Sequence, residues 1–368
     1  GVYAVFPTRL LHGFAGGKLL QLLCRRNEKM TEMHMNTTEC VTMAHGSGGE
    51  STESLIEEIF AKEFQNPYLS QMEDSTLVPL DGDGELAMTT DSFVVTPVEY
   101  PGGDIGRLCV CGTVNDLLMS GAKPRYLTCG FILEEGLPLA RLRRIVHSMA
   151  ETAKEAGVFI VAGDTKVVEN HSGPEGGLVI NTAGVGFLAR GERRMSPSSI
   201  ENGDAVIVSG TLGDHHAAIL GRRLNLENRI QSDNAPLGEM VTRLLQEGVR
   251  VHEMRDVTRG GLATVLNEFA ASSGKMITLE EAALPVSSDV RAFCGILGLD
   301  PLYMGNEGKM VCFVDGRDAE KAVSLIRDSR YGEAASRIGT VSEPDTAHNE
   351  KPALLIRTRI GGRRIAGP

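Results

Sequence analysis

The sequence predicts a two-domain α+β protein of mixed sheets packed with helices, and three observations predict it. Its 368 residues are long for one hydrophobic core and comfortable for two. Strand-like and helix-like patterns do not alternate one for one, which favours layers of sheet and helix over a doubly wound sheet. Around "RGERRMSPSSIENGD" the composition turns polar and turn-rich, placing a domain boundary near residue 195.

Taken in order, residues 1–29 mix apolar and basic residues without an acidic face. They lack the charged start, apolar middle and small-residue cleavage site of a leader, and they read as an extension outside the folded body. Residues 30–195 form the expected first domain. Near its start, "HGSGGESTESLIEEIF" is a glycine cluster opening into an apolar-periodic, acid-rich helix. Two readings stay open there: backbone N–H groups turned toward a phosphate, or a flexible lead into a cap at Ser51, Thr52 or Ser54, with Glu57 closing a capping box.

Next, "GELAMTTDSFVV" is rich in β-formers and reads as a strand, and "GRLCVCGTVNDLLMSGA" reads as a mostly buried helix stopped at Gly121. "RYLTCGFIL" is a strand. Pro138 starts an amphipathic helix with Leu139, Leu142, Val146, Met149 and Ala153 at helical spacing and Gly157 closing it. "VFIVAGDTKVV" and "GLVINTAGVGFLA" are two further strands. In the second domain, residues 196–350, "AVIVSG" and "KMVCFVD" read as strands, and "PLGEMVTRLLQEG", "GGLATVLNEFAAS" and "DAEKAVSLIRDS" as helices. Residues 351–368 read as a basic tail.

Charge and cysteine usage narrow the class. The formal charge is -11, with residues 1–30 at net +4, residues 351–368 at net +5 and the body between them at -20. Such a body repels nucleic acid. No apolar run reaches bilayer length, so neither nucleic acid nor membrane is an expected partner. Seven scattered cysteines without a C-x-x-C pair argue against a disulfide framework or a structural zinc, and fit a reducing cytoplasm. Cys109 and Cys111 share one face if extended and read as a buried neutral pair.

Familiar nucleotide signatures are missing. The Walker A spacing does not occur, and the G-x-G-x-x-A match at Gly184, Gly186 and Ala189 runs into "RGERR" rather than a helix. More informative are four aspartates at the edges of apolar runs: Asp74, Asp91, Asp116 and Asp164. A carboxylate in such a place needs a cation or hydrogen bonds. Magnesium is the economical partner, because it takes few carboxylates and leaves positions for phosphate oxygens. Each Asp alone is an ordinary turn or cap residue; four together, with Lys166 as a phosphate counter-charge, point to a metal–nucleotide site. The second half adds Asp214, His215 and His216 beyond a strand, Asp256, Thr258 and Arg259 before a glycine-led helix, and Glu307 in "GNEGKMV". Histidine or glutamate there suits acid–base work.

In sum these segments carry a resemblance. "AHGSGG…LIEEIF", "TTDSFVVTP", "VNDLLMSGAKPRYLT", "AGDTKVV", "SGTLGDHHAAI", "RDVTRGGLATVLNE" and "GNEGKMV", in that order from about Met43 to Ile365, resemble the HypE family. This is the hydrogenase-maturation branch of the aminoimidazole ribonucleotide synthetase-like (PurM-like) ATP-binding superfamily. Val257 stands where that family usually has proline, and His216 where glycine is common. The resemblance implies a PurM-like homodimer formed through the N-terminal domain, with ATP and Mg2+ as cofactors. Nucleotide contacts would come from His45, Gly46, Ser47, Gly48, Gly49, Asn115, Asp116, Thr165, Lys166 and Thr258. Metal ligands would be Asp74, Asp91, Asp116 and Asp164, and the catalytic groups His215, Glu307 and Lys166.

The implied reaction is ATP-dependent dehydration of a carbamoyl group, carried as a thiocarboxamide on a C-terminal cysteine, to a thiocyanate. This supplies the cyanide ligand of the [NiFe]-hydrogenase iron. The implied partners are the carbamoyltransferase HypF and the HypC–HypD complex. A sister enzyme of selenophosphate synthetase or thiamine-monophosphate kinase type, or a nucleotide-binding scaffold without turnover, are the alternatives. Family chains ordinarily finish in Pro-Arg-Ile-Cys, whereas here the last cysteine is Cys312 and the sequence stops at Pro368. The expectation is a truncated chain that binds ATP and dimerises without forming thiocyanate.

Overall fold

Alternating apolar residues build the first sheet. Its strands are β1 (Glu85–Phe93), β4 (Lys123–Glu134), β5 (Phe159–Val168) and β6 (Leu178–Leu188), in the order β1-β6-β4-β5. The short strands β2 (Glu99–Tyr100) and β3 (Gly103–Asp104) pair in a hairpin beside it. The computed structural model describes residues 40–46, 50–67, 84–173, 176–191, 195–345 and 351–367, and Cys40–Pro368 forms one unit. The expected extension 1–29, and with it the boundary at residue 30, lies outside the described residues.

One face of this sheet is covered by helices. The opening segment is α1 (Glu50–Leu55), continued by a wider π-type turn, Ile56–Ala61, that buries Ile59 and Phe60. Ser54 lies inside this helix rather than at its start, so it does not open the expected capping box with Glu57, and its Oγ donates to Glu58 Oε1 at 3.2 Å. Helix α2 (Ile105–Met119) starts at Asp104, whose carboxylate accepts the Arg107 N–H at 2.9 Å, and is almost wholly buried. Cys109 and Cys111 both lie in it, and burial pushes both thiols up. Helix α3 (Leu139–Ala156) buries the expected stripe at Leu142, Val146, Met149 and Ala153 and ends at Gly157 in the left-handed region.

The first sheet closes at Leu188, and a seven-stranded sheet begins at Ala205. Its order is β13-β12-β9-β11-β7-β10-β8. The strands are β7 (Ala205–Val208), β8 (Val251–Asp256), β9 (Met276–Glu280), β10 (Met310–Val314), β11 (Ser336–Ser342), β12 (Ala353–Arg357) and β13 (Arg363–Ile365). Around it pack α4 (Asp214–Arg223), α5 (Gly238–Gln246), α6 (Gly261–Ser273), α7 (Ser288–Leu297) and α8 (Ala319–Arg327).

The basic tail is corrected by β12 and β13. Within the supposed tail, β12 pairs in parallel with β9 and β13 pairs with β12, and Leu354, Ile356 and Ala366 are buried. Two apolar side chains on one face outweigh the flanking arginines, whose long stems keep their charges in water.

The two sheets are joined through α2. Arg107 Nε donates to Asn234 O at 2.9 Å. The buried Asn115 amide donates to Ala235 O at 3.0 Å and accepts the Leu237 N–H at 2.9 Å. The loop they clasp, 231–237, lies between α4 and α5 and carries groups that hold the site.

Candidate active-site cleft

Asp91 is on the helix-covered face of β1. There α2 comes close because residue 112 is glycine: a Cβ at that position would stand 2.7 Å from the Phe93 ring. One turn further along α2, Asp116 accepts the Thr89 hydroxyl at 2.9 Å. A strand and a helix thereby bring two carboxylates to one wall.

The second sheet supplies the opposite wall. Strand β8 ends in Asp256, and the chain continues through Thr258 and Arg259 into Gly260 and Gly261, both left-handed, where α6 begins. A Cβ on Gly261 would meet Leu302 O at 2.5 Å, so the turn that presents the α6 N-terminus depends on glycine. Asn306 fastens this wall. Fully buried, it accepts the Gly213 N–H at 2.8 Å and donates to Val257 O at 3.0 Å and Met304 O at 3.1 Å. One amide thus ties together the loop before α4, the loop after β8 and the loop bearing Glu307.

Between the walls is a cleft of about 510 Å³ lined by Asp91, Asp116, Asp256, Glu307, His215 and Thr258, with Arg223 and Arg259 among its cations. Asp116, Asp256 and Glu307 are held up together. Burial, then Asp256, with Asp91 adding, push Asp116 to about 7 against the Thr89 hydrogen bond. Burial, then Asp91, raise Asp256. Glu307 is pushed well above the usual range by burial, then by Asp233, Asp256 and Asp91, with Arg259 opposing. His215 moves the other way: burial depresses it to about 4, its Nδ1 lies 2.8 Å from Ser232 Oγ, and the Tyr100 ring stands edge-on at 5.5 Å. At neutral pH the imidazole is therefore uncharged. Negative charge in excess, facing a helix N-terminus and an arginine, is an arrangement for a cation bridging to an anion.

Of the residues singled out in the sequence, Asp91, Asp116, His215, Thr258 and Glu307 meet in this cleft. Asp164, Thr165 and Lys166 do not. They are on β5, the far edge of the sheet, about 14 Å from β1 across three strand spacings. Asp164 and Lys166 also face the other way, since Asp164 aligns through Gly130 and Asn181 with Ser92 rather than Asp91. There Lys166 Nζ pairs with Asp164 Oδ1 at 2.7 Å in the open. Of the four aspartates expected to share a metal, Asp164 stands apart from Asp91 and Asp116 within a single chain: chain order shows a carboxylate at an apolar run, but not which edge or face it takes. His45 and Gly46 form a 3₁₀ turn, Met43–Gly46, packed beside β5, with His45 Nδ1 accepting the Thr42 N–H at 3.0 Å. Asn115 has a structural task. Its amide donates to Ala235 O and accepts the Leu237 N–H, so it clasps the two halves. Ser47, Gly48, Gly49 and Asp74 lie outside the described residues.

Asp256 is absent from the expected metal set, although it obeys the rule that picked the others: an acid closing an apolar run. Asn306 and Asp233 had no such signal, because their roles depend on loops far apart in the chain.

Comparison with known proteins follows the same division. Residues 72–188 match the N-terminal domain of AIR synthase related proteins and residues 201–348 their C-terminal domain. The chain is 46% identical over 327 residues to the carbamoyl dehydratase HypE of Cupriavidus necator, covering 88% of this chain and 91% of that one. It superposes with a TM-score of 0.84 on a crystal structure of the hydrogenase maturation protein HypE in complex with ATP, at 44% identity, covering 88% of this chain and 96% of that one. A HypE chain from a HypE–HypF complex gives a TM-score of 0.72 at 45% identity, covering 85% and 99%.

Proposed function

As a member of the AIR synthase related family, within its HypE branch, the chain is a carbamoyl dehydratase of hydrogenase maturation, and we propose that the cleft uses ATP to convert a thiocarboxamide on a C-terminal cysteine to a thiocyanate. The product would supply the cyanide ligand of the [NiFe]-hydrogenase iron. The observation carrying this reading is the crowd of raised carboxylates facing the α6 N-terminus.

Magnesium fits these residues. No three His, Cys, Asp or Glu among the described residues form a cage that could hold an ion alone. Magnesium asks for less, one or two carboxylates with water and phosphate oxygens. Asp116, with Asp91 or Asp256 beside it, would hold it, and it would neutralise charge on the transferring phosphoryl group.

The chain's own groups do the rest. The α6 N-terminus, Thr258 and Arg259 bind phosphate oxygens and orient the γ-phosphate toward the amide oxygen. Phosphorylation turns that oxygen into a leaving group. The C–O bond then breaks as the nitrogen gives up both protons and the C≡N bond forms; the oxygen departs in inorganic phosphate and ATP ends as ADP. Of the two candidate bases, His215 is the weaker, depressed by burial, whereas Glu307, the stronger base when the cation and Arg259 hold it ionised, would take one of the two protons, and the departing phosphate would carry off the other. Cys109, Cys111, Cys129, Cys294 and Cys312 are all buried and cannot visit both a loading partner and the cleft, which favours a tail cysteine as carrier.

A second copy supplies what a single chain separates. The open face of the first sheet exposes Leu86, Met88, Ile132, Phe159 and Val168. Pairing this face with itself buries it and brings the β5 edge of one copy, with Asp164 and Lys166, to the β1 edge of the other. Loading by HypF and delivery to HypC–HypD, in the cytoplasm, complete the reading; among the described residues no helix is long and apolar enough to cross a membrane.

The test is intact-protein mass spectrometry on the chain carrying a Pro-Arg-Ile-Cys ending and loaded with a carbamoyl group. Loss of one water's mass only with ATP and magnesium is expected; unchanged mass, or loss without ATP, overturns the reading.

A further inference from the structure

The cleft is lined by two guanidiniums, Arg223 and Arg259, against the carboxylates Asp91, Asp116, Asp256 and Glu307. Arg259, beside the α6 N-terminus, serves the phosphates, and it is the cation that opposes the raised Glu307. Arg223 has no such task. It is the last residue of α4, where His216, Ile219 and Arg223 recur at helical spacing along the cleft wall. Its Nε donates to Thr96 O at 2.6 Å, which fixes the planar group, and no carboxylate among the described residues pairs with it. Its charge reaches back along the helix: burial, then Arg223, hold His216 below the usual imidazole range, and Arg223 adds to the burial that lowers His215.

The course of the chain after β13 supplies the second observation. Ala366 is buried, and its N–H donates to Leu354 O at 2.9 Å. Gly367 O then accepts Tyr303 Oη at 2.9 Å and Asn267 Nδ2 at 3.1 Å. Tyr303 itself lines the cleft. Residues that follow Gly367 therefore set out from beside the cleft of their own chain.

A cysteine that ends a chain carries its sulfur and its α-carboxylate on one residue. With the carbamoyl group set between the γ-phosphate and Glu307, that carboxylate stands within about 6 Å of it. It enters a cleft already crowded with acids and needs a counter-charge. Magnesium answers the acids of β1, α2 and β8, and Arg259 with the α6 N-terminus answers the phosphates, so Arg223 is the cation left over. We propose that Arg223 binds the terminal carboxylate of the carrier tail, through Nη1 and Nη2, and so makes the cleft select a cysteine at a chain end. The ion pair fixes one end of that residue and sets the carbamoyl group at its other end under the γ-phosphate. This assignment rests on the dehydration reading above.

Carbamoyl-loaded chains carrying the Pro-Arg-Ile-Cys ending test it, the tail ending in a free acid or in a carboxamide, each in the unaltered protein and in Arg223→Gln. Loss of water with ATP and magnesium is timed in a single turnover by intact-protein mass spectrometry. Either change alone is expected to slow it by about 10–100-fold, and both together no more than one, with ATP affinity unchanged. Equal rates for acid and carboxamide tails in the unaltered protein would overturn the proposal. So would an Arg223→Gln variant that slows the carboxamide tail as much as the acid, or one that weakens ATP binding, which would give the guanidinium to the phosphates. No ATP-dependent loss of water from any chain would instead remove the dehydration reading. The free peptide Pro-Arg-Ile-Cys and its carboxamide, titrated into the 368-residue chain, then decide. Tighter binding of the acid, abolished by Arg223→Gln, supports the carboxylate site, and equal binding overturns it.

Discussion

Asp116 is the residue whose protonation most directly reports the crowding of the cleft. Its folded value near 7 lies above the ordinary aspartate value, so between about pH 4 and 7 the native state holds a proton that the unfolded chain has lost. By linkage this makes stability fall as pH rises through that window. His215 acts oppositely over about pH 4 to 6.5, because the folded imidazole resists the proton that the unfolded one takes up. The two contributions separate in Asp116→Asn. Relative to that variant, the unaltered protein without metal is expected to lose stability from pH 4 to 7, and magnesium with ATP to restore it. Parallel pH profiles from urea denaturation would remove the cation role. At Glu307, replacement by Gln is expected to lower turnover by about 10²–10⁴-fold while nucleotide binding survives; normal turnover would return the base to His215. Both residues are legible in the sequence, Asp116 as an acid beside an apolar run that demands a partner and Glu307 as an acid–base candidate in "GNEGKMV". Asp164 satisfies the same rule and sits elsewhere, because its register across β4 and β6 is a property of the sheet.

At the scale of elements, the strongly periodic segments are the legible ones. Helix α3 keeps its apolar stripe and its glycine stop, and β10 is a run of five apolar residues, all buried. What escapes are strands with mixed patterns. β8, "VHEMRD", buries His252 and Glu253, and His252 Nδ1 lies 2.7 Å from Asp204 Oδ2, a pairing that only the fold can supply. β12 hides among arginines, yet Leu354 and Ile356 are fully buried against the second core. Ile356→Ala is accordingly expected to cost about 2–5 kcal/mol in a urea titration. A cost within experimental scatter of zero would return residues 353–365 to the status of a tail. Conversely, Asn306→Ala strips one amide from three loops, so nucleotide affinity and turnover should fall together rather than separately.

For the whole molecule, the open sheet face and the split site are one problem. Met88 is 70% exposed on a face continuous with Leu86, Ile132 and Phe159, and such a patch marks an interface in a folded protein. Met88→Lys places a charge there and is expected to shift the chain toward monomer in light scattering. A stronger test asks whether one copy completes the other. Asp116→Asn disables the cleft of its own chain, and Lys166→Ala disables what the β5 edge contributes. If each active site draws its cleft from one chain and Lys166 from the partner, a mixed dimer of the two variants contains one site with both defects and one with neither. Equal mixing under exchange then makes about half the dimers mixed and recovers about a quarter of full turnover from two inactive parents. Were Lys166 to serve the cleft of its own chain, every site would keep one defect and mixing would recover nothing. In one chain Lys166 is held by Asp164 at the sheet edge opposite Asp91, and recovery is the outcome that geometry favours.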